Sequence, residues 1–82
     1  MEAEVKLEYA DEKTAEAIAN AVSPDNLRVP KGLRITTLRE GKSVITRIEY
    51  DGKLATFTAT IDDLLFSAGT AEKTVQATKR MR

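Results

Sequence analysis

The sequence has neither cysteine nor histidine in its 82 residues. Without cysteine it can build no disulfide framework and no thiolate metal site. The two absences together remove the usual nucleophile, the usual base near neutral pH and the best zinc ligands, which leaves carboxylates, hydroxyls, Lys and Arg for any chemistry. Neither sign of charge is in excess, since thirteen basic residues balance thirteen acidic ones, so no overall field draws nucleic acid or an anionic membrane. No apolar run approaches membrane-spanning length, and Met1 to Tyr9 alternate apolar and charged residues instead of forming basic and apolar blocks. The expectation is one cytosolic domain over residues 1–82, small enough that a partner supplies part of its stability.

What is present is periodic. Ala3, Val5, Leu7 and Tyr9 alternate with Glu2, Glu4, Lys6 and Glu8, the signature of a strand with one buried face. Asp11 is placed to cap a helix from about Glu12 to Val22, in which Ala15, Ile18, Ala19 and Val22 follow helical spacing and Pro24 bars extension. Ser23 to Gly32, SPDNLRVPKG, reads as an ordered loop whose Leu27 and Val29 can still pack. Leu33 to Arg39 and Val44 to Tyr50 then flank Gly41-Lys42, a pair suited to a type II′ turn. That register pairs Ile35 with Ile48 and Arg34 with Glu49, whereas a slip would set Arg34 against Arg47, two like charges.

Asp51-Gly52 signals a further type I′ turn, so the meander is expected to continue with Ala55 beside Ile48 and Phe57 beside Thr46. The open sheet face would carry Arg34, Thr36, Leu38, Ile45, Arg47, Glu49, Leu54 and Thr56. Thr60 and Asp63 resemble a capping box, and Asp62 and Asp63 suit the positive end of a helix dipole, which starts a second helix there. Its stripe is Ile61, Leu64, Leu65, Ala68 and Val75, with Lys79, Arg80 and Arg82 suiting its C-terminal end. The fold class expected is α+β: an antiparallel sheet of three to four strands with two helices on one face, in the order β-α-β-β-(β)-α.

No catalytic constellation emerges. Asp62 and Asp63 diverge by about 100° around a helix and cannot share a proton or metal from one face. The four glycines are scattered, with no P-loop, nucleotide fingerprint or nucleophile elbow. The second faces of the helices carry more information. Phe66 shares a side with Gly69, Thr70, Lys73 and Ala77, and Ala17 and Ala21 point away from the core stripe of the first helix. Small residues beside an exposed aromatic suit a helix-on-helix interface, while the alternative is a Phe66 that wraps over the core edge. Arg28, Lys31, Arg34 and Arg47 are available for phosphates but have no stacking aromatic among them.

The order strand, helix, SPDN loop, meander and helix, with LRVPKGLRI after SPDN and TATIDDLL leading into the last helix, resembles the small dimerising subunit of the KEOPS complex, the family that includes the cancer/testis-antigen-like proteins. The resemblance runs from about Val5 to Val75 and rests on the succession of segments, not on a single motif. It implies a non-catalytic subunit, free of metal and nucleotide, in the machinery that makes threonylcarbamoyladenosine beside the anticodon of certain tRNAs. It further implies a homodimer formed through the sheets, docking of both helices on a helical region of the threonylcarbamoyl-transferase subunit, and a share in holding tRNA that would fall to Arg28, Lys31, Arg34 and Arg47. The competing reading is a standalone RNA-binding α+β module of KH-like type, which lacks its GXXG loop here. A third is an oligomerisation domain of some other complex.

Overall fold

The computed structural model describes residues 1–23 and 28–80, the stretch from 74 to 80 as helix backbone only. Five elements follow in the order β1 (Glu2–Glu8), α1 (Glu12–Ala21), β2 (Arg34–Glu40), β3 (Ser43–Glu49) and α2 (Leu54–Arg80). The alternating N-terminal segment forms β1 with its even residues exposed and Ala3, Val5 and Leu7 half-buried. Asp11 caps α1 as its spacing implies, its carboxylate accepting from the Thr14 N–H at 2.7 Å. The hairpin forms in the expected register, Arg34 opposite Glu49 and Ile35 opposite Ile48. Gly41 takes a positive φ of 59° while no non-glycine residue does, the pattern a type II′ turn requires.

β3 is the central strand, in the order β1-β3-β2, and both neighbours run antiparallel to it. The inward residues of the sheet, among them Val44, Thr46 and Ile48, meet Ala15, Ile18 and Val22 of α1 and Phe57, Leu64 and Ala68 of α2 in one buried cluster. The three-stranded antiparallel sheet with two helices on one face is therefore the α+β architecture expected from the sequence. Val29 packs against this cluster as expected. Pro24, Asp25, Asn26 and Leu27 fall outside the described residues, as do the side chains of Val75, Ala77, Lys79 and Arg80 and the whole of Arg82.

The optional fourth strand does not form. Ala55 and Phe57 were to pair with Ile48 and Thr46, but those positions are taken by Ala3 and Val5 of β1. A strand has two edges, and β3 has spent both. The segment is helix instead, starting at Leu54, with the Phe57 N–H donating to the Lys53 carbonyl at 3.1 Å as an early i to i−4 bond. Gly52 is not in the left-handed region, so no type I′ turn precedes it. Phe57 still reaches the core, now with Thr60, Ile61, Leu64, Ala68 and Ala71 on a stripe of helical period. Thr60 is a buried mid-helix residue whose hydroxyl donates to the Thr56 carbonyl at 2.9 Å, so the capping box with Asp63 is absent. Asp62 and Asp63 lie two turns inside α2, beyond the reach of its N-terminal dipole. Leu65, expected in the buried stripe, is 45% exposed, because it lies about 100° round the helix from Leu64.

Two polar contacts tie the layers together. The Thr37 hydroxyl donates to the Val22 carbonyl at the end of α1 (3.2 Å) and lies 3.1 Å from the buried Thr46 hydroxyl. Since the single Thr37 proton goes to Val22, Thr46 is the donor in the second bond. Thr37→Val therefore strands both a buried donor and a helix-end carbonyl, and is expected to cost about 1–3 kcal/mol in urea unfolding. Thr46→Val removes only an acceptor's partner and is expected to cost less. At the other end, burial pushes the Tyr9 hydroxyl up to about 12, with the charge of Glu72 and a loose approach of its carboxylate adding to the effect. That hydroxyl closes no hydrogen bond of good geometry, so burial is the dominant cause.

Candidate protein-interaction surfaces

The outward face of α2 follows from its core stripe. With Leu64 and Ala68 at the centre of the buried side, Phe66, Gly69 and Lys73 fall about 120–180° away. Phe66 is 77% exposed, the most exposed large apolar side chain described, and Lys73 and Thr70 are exposed beside it. Gly69 is half-buried, and a Cβ built there would meet open space. On α1, Ala17 is exposed opposite the Ala15, Ile18 and Val22 side, and Ala21 is half-buried. The structure thus places Ala17, Phe66, Gly69, Thr70 and Lys73 away from the sheet, on a layer where α1 and α2 pack against each other. Leu54, 67% exposed at the start of α2, adds apolar surface that sequence reasoning missed because it assigned Leu54 to a strand.

The open face of the sheet is a grid of cross-strand rows. Glu2, Glu49 and Arg34 form one row, Glu4, Arg47 and Thr36 the next, Lys6, Ile45 and Leu38 the third, and Glu8, Ser43 and Glu40 the last. Arg47 is paired with Glu4 at 3.7 Å, and Lys6 with Glu8 at the same distance. Arg34 and Arg47 therefore sit among carboxylates on the face away from the helices. Arg28, by contrast, borders an open groove of about 440 Å³ whose other wall is Ala55, Thr56, Ala59 and Asp63 of α2. The four basic residues do not converge on one surface of a single chain.

Among the described residues no group of three or more His, Cys, Asp or Glu is placed to hold a metal ion, and no helix is long and apolar enough to cross a membrane. The exposed outer face of α2 and the open edges of the three-stranded sheet are surfaces on which another chain can bind.

The family described as Transcription factor Pcc1 matches residues 2–76. A chain in the crystal structure of the binary complex Gon7-Pcc1 shares the fold with a TM-score of 0.76 at 16% sequence identity, the alignment covering 100% of this chain and 96% of that one. No curated protein matches the chain. With nearly the whole sequence inside the family match, and with the strand, helix, hairpin and helix order in place, the chain belongs to the Pcc1 family of small KEOPS subunits.

Proposed function

We propose that this subunit is a non-catalytic dimerisation and scaffold component of KEOPS that docks the threonylcarbamoyl-transferase subunit and so supports tRNA threonylcarbamoyladenosine modification. The observation that carries the reading is Phe66, 77% exposed beside Gly69 on the side of α2 that the fold does not use. A large aromatic ring held in water next to a residue without a side chain is what a partner helix needs for an anchor and a close approach. Ala17, Ala21, Thr70 and Lys73 complete the docking face, to which the sequence also assigns Ala77, whose side chain lies outside the described residues, and the occupant is the helical region of the transferase. The metal and nucleotide chemistry belongs to the partner subunits. The related fold found in a binary complex supports an assembled state for chains of this shape.

Two copies join through their sheets, because a three-stranded sheet leaves two unsatisfied edges. The assembled complex holds tRNA with the help of basic residues from this chain. Arg28 and Lys31, both exposed in the loop before β2, are the better placed of the four. Arg47 is already neutralised by Glu4, and Arg34 stands opposite Glu49, so they offer phosphates less.

The test is co-expression with the transferase subunit followed by size-exclusion chromatography with light scattering. A stable complex containing two copies of this chain is expected. Two purified proteins that elute separately at micromolar concentration would overturn the docking reading.

A further inference from the structure

Tyr9 carries a hydroxyl that the fold buries without using. The residue directly follows β1, its N–H donates to the Lys42 carbonyl at 2.9 Å, and its ring packs against the core cluster. The backbone is thus fixed and the hydroxyl is held beside α2, where among the described residues it closes no hydrogen bond. The Glu72 carboxylate of α2 approaches it and acts on it by charge, without completing a bond of good geometry. A phenylalanine would fill the same space without burying a polar group, so in the isolated subunit the hydroxyl only destabilises. A buried donor left unpaired beside a carboxylate calls for a state in which the pair is made.

The position of Glu72 on α2 identifies that state. Glu72 stands about one turn beyond Gly69 and about 60° round the helix from it, on the shoulder between the buried stripe of Ala68 and Ala71 and the outward face of Gly69 and Lys73. It is half-buried, so water still reaches its carboxylate in the free chain. A Cβ at Gly69 would meet open space, so a helix seated on the outward face comes closest there, one turn from Glu72. Such a helix takes water from the carboxylate, and a carboxylate out of water needs other donors. The Tyr9 hydroxyl is a donor already beside it, buried and bonded to nothing else among the described residues. The bond it then makes is charge-assisted, the stronger kind. Ala71 is also the last described residue of α2 in the core cluster, so this bond would hold the helix at the point where it leaves the core and runs on to Arg80.

We infer that docking of the transferase on the outward face of α2 closes a hydrogen bond from the Tyr9 hydroxyl to the Glu72 carboxylate, which makes Tyr9 a positioning residue for the far half of α2. The inference rests on the proposed docking and goes beyond it to a residue on the sheet side of the helix. Tyr9 acts only through Glu72.

The test is a double-mutant cycle of Tyr9→Phe and Glu72→Ala, read by calorimetric titration against the transferase subunit and by urea unfolding of each free chain, with Phe66→Ala as the docking control. Tyr9→Phe is expected to leave the free chain at least as stable as the parent and to weaken binding about tenfold, the scale of a bond to a charged acceptor. In the Glu72→Ala background the same substitution should lose no further affinity. The chain has two tyrosines, so labelling them with an NMR-active carbon at Cζ gives two resonances. The one lost in Tyr9→Phe should move when the transferase is added, and should stay in place in Glu72→Ala. A Tyr9→Phe chain that binds as the parent does, while Phe66→Ala binds weakly, would overturn the role of Tyr9 and leave the docking reading standing. A free Tyr9→Phe chain less stable than the parent would mean that the bond exists before the partner arrives, and additive losses in the cycle would mean that Tyr9 and Glu72 act apart. Either result overturns the inference as well. Normal binding by Phe66→Ala would remove the docking reading and the inference with it.

Discussion

Replacing Phe66 with alanine is expected to weaken binding to the transferase subunit by about 2 kcal/mol or more, roughly thirtyfold, while leaving the melting temperature of the isolated subunit unchanged. The two halves of this result come from one fact. A side chain 77% exposed contributes little to the folded monomer, so truncating it removes little. The same exposure means that the ring has most of its apolar surface still to bury when a partner arrives. Gly69→Leu should act in the opposite sense on the monomer and the same sense on the complex. It replaces a poor helix former by a good one, and a Cβ there meets nothing within the chain, so the monomer gains stability. The added side chain stands where the partner helix must approach. Calorimetric titration against the transferase, with thermal unfolding of each variant, separates the effects. Normal binding by Phe66→Ala, or loss of the fold, would return Phe66 to the core edge.

The parts of this structure that were legible in sequence share a property: their partners are close in the chain or their pattern is closed. The hairpin register followed from Gly41-Lys42 and from the like-charge pairing that a slip would create, and it formed as expected. The cap of α1 needed only Asp11 and the residues just after it. The orientation of Phe66 followed from the period of α2 once Leu64 and Ala68 were assigned to the core. The failure came at residues 51–60, where local signals favoured a strand: Asp-Gly invited a turn, and the β-branched Thr56, Thr58 and Thr60 suited a pleated surface. What defeated them is a contact distant in sequence, β1 against β3 with Ala3 opposite Ile48 and Val5 opposite Thr46, which fills the edge that a fourth strand would need. Nothing between Asp51 and Thr60 encodes that competition. The helical alternative was written in a longer window, since Phe57, Ile61, Leu64, Ala68 and Ala71 share one face over four turns.

The same blindness to topology hid which edges of the sheet are open. Both β1 and β2 alternate cleanly, and only the position of β3 between them shows which backbone rows are free and which side chains flank each row. The basic residues were legible as charges but not as neighbours, because the distance from Arg28 to Arg34 along the chain conceals the fact that one borders α2 and the other the opposite face of the sheet.

Ala59→Pro distinguishes the two readings of residues 51–60 with the largest stability effect expected at an exposed position. Ala59 is exposed, so the substitution disturbs no core packing. In α2 it lies five residues past Leu54, where proline removes the N–H that would donate to the Ala55 carbonyl and drives its ring into that same carbonyl. The cost is about 3 kcal/mol or more, a large share of the about 5–15 kcal/mol that holds a domain of ordinary stability together. Ala59→Ser, which keeps the N–H, should cost about 0.5 kcal/mol. If the helix instead began at Thr60, residue 59 would precede its cap, where proline is tolerated and even limits the freedom of the unfolded chain. Urea unfolding of the two variants beside the parent chain therefore reads the start of α2 directly. A midpoint for Ala59→Pro no lower than that of Ala59→Ser would place the first turns of α2 outside the helix and reopen the sheet to a fourth strand.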